Sequence, residues 1–264
     1  MPEASRGPAA VPRGAAGPAD LGARTWPEVA RSNGSVLAVA VGSVEQHGPH
    51  LPLDTDLQVA QALVRALAVR RPAVVAGPPV AYGASGEHAG FPGTVSIGHW
   101  VLEHLVVELV RSATATFRGV VVVSGHGGNE QALARAAARC RVEGRPLLVW
   151  PVRVPGGDAH AGRTETSLML ALDPEAVRTG EVVRGRTEPL AVLLADLRRH
   201  GMLAVSPSGV LGDPRHASAA EGEHLLEMLV SSLVADVDRW WRDAVERTGP
   251  AGETVRPALA GEPR

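Results

Sequence analysis

Gly119-Val120-Val121-Val122-Val123-Ser124-Gly125-His126-Gly127-Gly128-Asn129-Glu130 is the stretch that decides the fold. Its first half is β-branched almost throughout, the composition of a strand buried on both faces. Its second half is a glycine turn, and a helical pattern begins near Glu130. Strand, glycine turn and helix in that order put the turn at the carboxyl edge of an open α/β sheet, beside free backbone N–H groups. Glycines flanking His126 let a metal or a substrate come close to the backbone there.

The same alternation runs outward in both directions. Strands are expected at 35–41, 73–77, 119–124 and 147–152, with helices near 57–70, 99–117, 130–143, 165–172, 189–200 and 217–245. Strands alternating with amphipathic helices predict a three-layer α/β/α fold with a mainly parallel sheet. The chain has 264 residues, 45% of them hydrophobic and only 3% aromatic, so one domain (25–247) is expected with an Ala, Val and Leu core. Residues 1–24, rich in Ala, Pro, Gly and Arg, read as a disordered leader with no apolar centre of a signal peptide or membrane anchor, and 248–264 as a disordered tail. The net charge of −2 and the lack of any Lys/Arg block argue against nucleic acid or an anionic membrane surface as partner. No apolar run reaches spanning length, which predicts a soluble, cytoplasmic protein. Cys140, the single cysteine, excludes an intrachain disulfide and reads as a small buried apolar residue.

The chemistry sits in the loops. Glu45-Gln46-His47-Gly48-Pro49-His50-Leu51-Pro52-Leu53-Asp54-Thr55-Asp56 follows the first strand. Gly48, Pro49 and Pro52 forbid a regular helix or central strand over that segment, so it is a shaped loop. Asp, Glu and His together form a ligand set for zinc, manganese or iron. Glu45 and His47, two residues apart, point the same way in an extended segment. A third segment, Asp158–Ser167, carries His160 and Glu165 ahead of an apolar helix. Glu165 reads either as a metal ligand or as a residue that caps the helix start. His160, with an unperturbed pKa near 6.5, suits a general acid and base. Glu87, His88, Asn129 and Trp150 are candidates to line a substrate pocket. Asn129 could also orient the metal ligands or an oxyanion, with a helix-start alternative, and Trp150 has a core-packing one.

These segments, with Gly83-Ala84-Ser85-Gly86-Glu87-His88 and Gly209-Val210-Leu211-Gly212-Asp213-Pro214, resemble the creatininase family of metal-dependent amidohydrolases over roughly residues 26 to 245. Within it the likeness is to the branch that trims the modified precursor peptide of the redox cofactor mycofactocin. It is carried by Ala81–His88, Pro155-Gly156-Gly157-Asp158 and the Gly209–Pro214 turn. The resemblance implies two divalent metal ions per subunit, zinc, iron or manganese. Glu45, Asp56 and His126 would hold one, and His47 with Asp56 the other. Creatininase proper uses a glutamate two positions after the histidine matching His126, where this chain has Gly128. Glu165 is the candidate to replace it. A metal pair about 3.5–4 Å apart lowers the pKa of a bound water and polarises a carbonyl, as amide hydrolysis at neutral pH requires. The resemblance further implies a homo-oligomer, a hexamer, and a modified precursor peptide as substrate, cleaved to release its C-terminal Val-Tyr-derived unit. The alternatives are hydrolysis of a small amide, such as creatinine or a formamide, and a non-catalytic metal-binding scaffold.

Overall fold

Four short runs of branched and small apolar residues form the strands β1 (Val36–Val41), β2 (Val74–Ala76), β3 (Val120–Ser124) and β4 (Leu147–Pro151). They belong to a computed structural model that describes residues 20–32 and 34–248. All four strands are parallel, in the order β2-β1-β3-β4, with Leu37 opposite Val120 and Val41 opposite Ser124. The helices are α1 (Trp26–Ala30), α2 (Thr55–Arg70), α3 (Gly98–Ala113), α4 (Glu130–Val142), α5 (Arg163–Leu172), α6 (Leu190–His200), α7 (Met202–Val205) and α8 (Ala219–Thr248).

Successive strand residues face opposite layers. Val36, Ala38, Ala40, Val121 and Val123 pack with α2, α5 and α8, while Leu37, Val39, Val41, Val120 and Val122 pack with α3 and α4. Covered on both faces, the strands have no polar side to alternate with, which is why they read as unbroken apolar runs. The result is the three-layer α/β/α fold that the sequence predicts. Leu63, Leu67, Leu102, Leu133, Leu168 and Leu233 are fully buried between the layers, each contributing roughly 1.5–3 kcal/mol relative to exposure. Cys140 is buried among them as a small apolar residue. Trp240 and Trp241 lie half-buried against the α2/α5/α8 side of the core.

Three boundaries differ from the sequence reading. Residues 20–24, expected in the leader, are structured: Asp20 bridges to Ala76, Leu21–Ala23 form a 3₁₀ turn, and Leu21 packs on the core. Thr25 and Glu28 then form a reciprocal capping box at the start of α1. The rest of the expected leader, 1–19, and 249–264 of the expected tail lie outside the described residues. α3 stops at Ala113, because Thr114 turns its hydroxyl back onto the Val110 carbonyl and the next residues close as turns around buried Phe117. Finally, α2 begins at Thr55, so Asp56 stands in a helical first turn rather than in the loop. Among the described residues no helix is long and apolar enough to cross a membrane.

The topology fixes where a site can form. β1 and β3 are neighbours, yet β1 is followed by α2 on one face and β3 by α4 on the other. The two connections diverge and leave a crevice at the carboxyl ends of the strands, the switch point at which open α/β sheets bind ligands. Glu45, His47 and Asp56 follow β1 into that crevice, and His126 follows β3.

Candidate metal centre

Glu45 is wholly buried, and neither of its carboxylate oxygens makes a hydrogen bond. Three imidazoles surround its Oε1: His126 Nδ1 at 3.1 Å, His88 Nε2 at 3.3 Å and His160 Nδ1 at 3.8 Å. These approaches lack hydrogen-bond geometry, so they mark convergence on a common point rather than a bonded network. Asp56 divides its carboxylate between two sides. Oδ1 lies 3.3 Å from His47 Nε2, and Oδ2 lies 3.4 Å from His126 Nδ1 and accepts from the Ser43 hydroxyl. The helix carrying Asp56 approaches β3 this closely because position 125 is glycine, where a Cβ would run into the Asp56 carbonyl.

Three sets of side chains gather ligand atoms closely enough for one ion: Glu45/Asp56/His126, His47/His160/Glu165 and Glu45/His88/His160. The first two share no residue, whereas the third borrows one from each, so the cluster has room for two ions. Its charge points the same way. Burial opposes a charge on His47 and His126, yet the surrounding carboxylates outweigh it; His47 is raised to about 10 and His126 well above its usual range. Despite its own burial, Glu45 is held well below the ordinary carboxylate range by His126, His88 and His47. Glu165 is pushed up to about 7, by burial and by Asp56. Buried carboxylates that draw protons onto neighbouring imidazoles also suit divalent cations, and the orphaned oxygens of Glu45 fit such an ion.

Each residue singled out in the sequence has a definite place. Glu165 Oε2 accepts from the Ala161 N–H at 2.6 Å, so it holds the start of α5 and also joins His47 and His160 in one ligand set. The geometry is compatible with both readings of this residue. His160 is buried, and the next residue, Ala161, is the one described non-glycine residue with a positive φ, +49°. Burial, then the charges of His47 and His88, hold the His160 imidazole well below its usual pKa. Glu87 lines the crevice and places Oε1 3.2 Å from His126 Nε2, on the ring edge away from Glu45. A Cβ at position 128 would collide with His126 Nε2, Glu87 Oε1 and the Ala84 carbonyl, so the Glu87–His126 approach requires Gly128.

Two of the expected pocket-lining residues do not reach the cleft. Asn129 is fully buried behind the site, where its side chain accepts from the Ala84 N–H at 2.8 Å and donates to the Gly42 carbonyl at 3.0 Å. It ties three loops together; although Asn129 is the N-cap residue of α4, its side chain makes no capping hydrogen bond there and does not line the crevice. Trp150 packs into the core beside α8 and donates its indole N–H to Asp236 at 3.0 Å. Alternation along β4 puts it on the face covered by α8, with Val123 of the neighbouring strand. Conversely, His88 comes nearer to the cluster than a pocket-lining role required. Gln46 gave no signal in the sequence, being a neutral residue between two ligand-type ones. It is buried and contacts both His88 and His160.

The cluster forms the floor of a cleft of about 1770 Å³. Leu190, Leu194, Leu197 and Met202 from α6 and α7 make an apolar wall, with Arg153, Arg186 and Arg198 around the cleft. Arg153 is paired with Glu130 and Arg186 with Glu188.

Comparison with known proteins agrees with this geometry. The family profile described as creatininase, creatinine amidohydrolase, matches residues 23–237. The mycofactocin precursor peptide peptidase of Mycolicibacterium smegmatis is 50% identical over 232 residues, covering 86% of this chain and 93% of that protein. A solved structure named "Creatininase Mn" superposes with a TM-score of 0.72 at 27% identity, covering 84% of this chain and 98% of its own. A mutant creatininase of "Zn-Zn type" does so with a TM-score of 0.70 at 27% identity, over 86% and 99%.

Proposed function

We propose, from the premise that this chain belongs to the creatininase family, that it is the peptidase that cleaves a modified mycofactocin precursor peptide to release its C-terminal Val-Tyr-derived unit. The protein is a hydrolase of amide bonds and its fold is a metal-dependent one. The observation that carries the substrate reading is the cleft. Small-molecule pockets are about 300–1,000 Å³, and 1770 Å³ with an apolar wall suits a peptide better than creatinine or a formamide. A purely structural metal site would be closed, without such an open approach to its ligands.

Glu45, Asp56 and His126 would hold one divalent ion, and His47, Asp56 and Glu165 the other. Zinc, iron and manganese all suit this donor set. When bound, the pair supplies an activated water and polarisation of the scissile carbonyl. His160 handles the proton. Its Nε2 lies 2.8 Å from the Gln46 backbone carbonyl, which can only accept, so Nε2 carries the hydrogen and Nδ1 is left bare toward the cluster. An uncharged imidazole there takes the proton of the attacking water and returns it to the leaving nitrogen. Glu87, facing His126 Nε2, orients that ring for coordination through Nδ1, as carboxylates behind ligating histidines do. Leu190, Leu194 and Met202 exclude water from apolar side chains of the peptide.

The family likeness also supports a cytoplasmic homo-oligomer, a hexamer. Exposed Trp100 and Val101 on α3 are available for subunit contact. Light scattering on the purified protein checks the assembly. The activity test is mass spectrometry of the metal-loaded protein with the modified precursor peptide, creatinine and a formamide in parallel. Release of the C-terminal unit alone is expected. Turnover of a small amide with the peptide left intact would refute the peptidase reading.

A further inference from the structure

Gln46 holds the most constrained side chain of the site. Its amide orientation is set by two backbone groups of fixed character: Oε1 accepts from the Gly48 N–H at 2.8 Å, and Nε2 donates to the Gly209 carbonyl at 3.0 Å. Turning the amide over would oppose donor to donor and acceptor to acceptor, so the assignment is unambiguous. Even the turn at Gly209 is shaped around this group, since a Cβ there would collide with Gln46 Oε1.

An amide nitrogen has two hydrogens, and Gln46 Nε2 has three polar neighbours: the Gly209 carbonyl, His88 Nδ1 at 2.9 Å and His160 Nε2 at 3.0 Å. The first hydrogen goes to the carbonyl. The second cannot go to His160 Nε2, because that nitrogen already carries a hydrogen for the Gln46 backbone carbonyl at 2.8 Å. It therefore goes to His88 Nδ1, which must accept, and the hydrogen of the neutral His88 ring is left on Nε2. That nitrogen is the one facing the cluster, 3.3 Å from Glu45 Oε1, and His88 lines the cleft.

We propose that Gln46 is a positioning residue that fixes His88 and His160 in the same tautomer but presents them through opposite edges, so that His88 offers the cleft an N–H and His160 a lone pair. His88 is then a hydrogen-bond donor to the bound amide and not a metal ligand, although its distance from Glu45 and His160 would allow coordination. One side-chain amide and one backbone carbonyl of the same residue thus divide the two histidines into a donor and an acceptor. This reading rests on hydrogen-bond accounting alone and holds for any amide substrate, peptide or small.

The test uses the full-length zinc-loaded protein with ¹⁵N-labelled histidine, in which ring nitrogens with and without hydrogen resonate far apart. His88 and His160 are identified by the signals lost in His88→Asn and His160→Asn. Wild type should show His88 with Nδ1 bare and Nε2 protonated. In Gln46→Glu a carboxylate replaces the donor beside Nδ1, so the His88 hydrogen should move to Nδ1. His160 should keep its tautomer, because its backbone partner remains. Should Gln46→Glu not fold, Gln46→Met removes the donor without adding charge and should leave His88 a mixture of tautomers. The zinc content of His88→Asn should equal that of wild type while turnover falls at least tenfold. An unprotonated His88 Nε2 in wild type, an unmoved tautomer in the folded Gln46 variants, or loss of zinc from His88→Asn would each overturn the proposal.

Discussion

Glu165→Gln should change stability in opposite directions with and without metal. In the metal-free protein the carboxyl is raised from 4.5 to about 7, by burial first and then by Asp56. A raised carboxyl binds its proton more tightly folded than unfolded, so it leaves stability untouched below pH 4.5 and lowers it progressively up to pH 7. The shift corresponds to a few kcal/mol at most, about 1–2 kcal/mol once solvent in the open cleft is allowed for. Glutamine has no charge to bury, and its side-chain oxygen can still accept from the Ala161 N–H, so the start of α5 is preserved. Chelator-stripped Glu165→Gln should therefore melt higher than stripped wild type at pH 8, by roughly 3–6 °C for a domain of this size, and match it near pH 4.5. After metal loading the order should reverse: the variant retains one ion of two and gains less from binding. Elemental analysis per subunit and thermal unfolding at the two pH values measure both halves. Two ions in the variant would remove Glu165 from the ligand set. A lower melting point for the stripped variant at pH 8 would show that the contact with Ala161 outweighs the burial of charge.

Asp56→Ala should lose both ions and all activity, because its two oxygens face different ligand sets; elemental analysis showing full occupancy would refute the bridging role. Asp54 offers no ready substitute, since its carboxylate accepts from Gln58 within α2. His160→Ala should keep two ions and lose about 10²–10⁴-fold in kcat. If its metal content falls as far as that of His126→Ala, His160 is a ligand. Trp150→Phe should cost about 1 kcal/mol in urea unfolding for the lost bond to Asp236 and leave kcat/KM within about twofold; a large loss of activity would return Trp150 to the substrate site.

The fold was legible because its strands are buried on both faces and its helices are not, a contrast that survives in a single sequence as apolar runs between amphipathic segments. Glu45 and His126 stood out for a related reason: glycine and proline confine them to loops at strand ends, whereas Asp56 stood out by residue type and sits in the first turn of α2. What the sequence did not carry is direction. Trp150 has the composition of a pocket wall, but its place in the alternation of β4 points it at α8. Asn129 has the composition of a cap or an anion binder, yet the packing of three loops closes over it. Periodicity gives the face a residue shares, and only the register of the neighbouring strands says which layer lies on that face.

Gln46 marks a deeper limit. Ligands announce themselves by type, because few residues bind cations, whereas a positioning amide is chemically ordinary until its partners are known. Its importance lies in three contacts, to residues 88, 160 and 209, that are remote in the chain and meet only when the loops after β1, β2 and β4 converge with the turn between α7 and α8. The same convergence explains Gly128. In isolation it looks like the loss of a ligand, but in the fold it is the space through which Glu87, arriving from another loop, reaches His126. Glu87 thus depends on Gly128 to reach His126, while the ligand role that a glutamate at position 128 would have filled is the one proposed for Glu165.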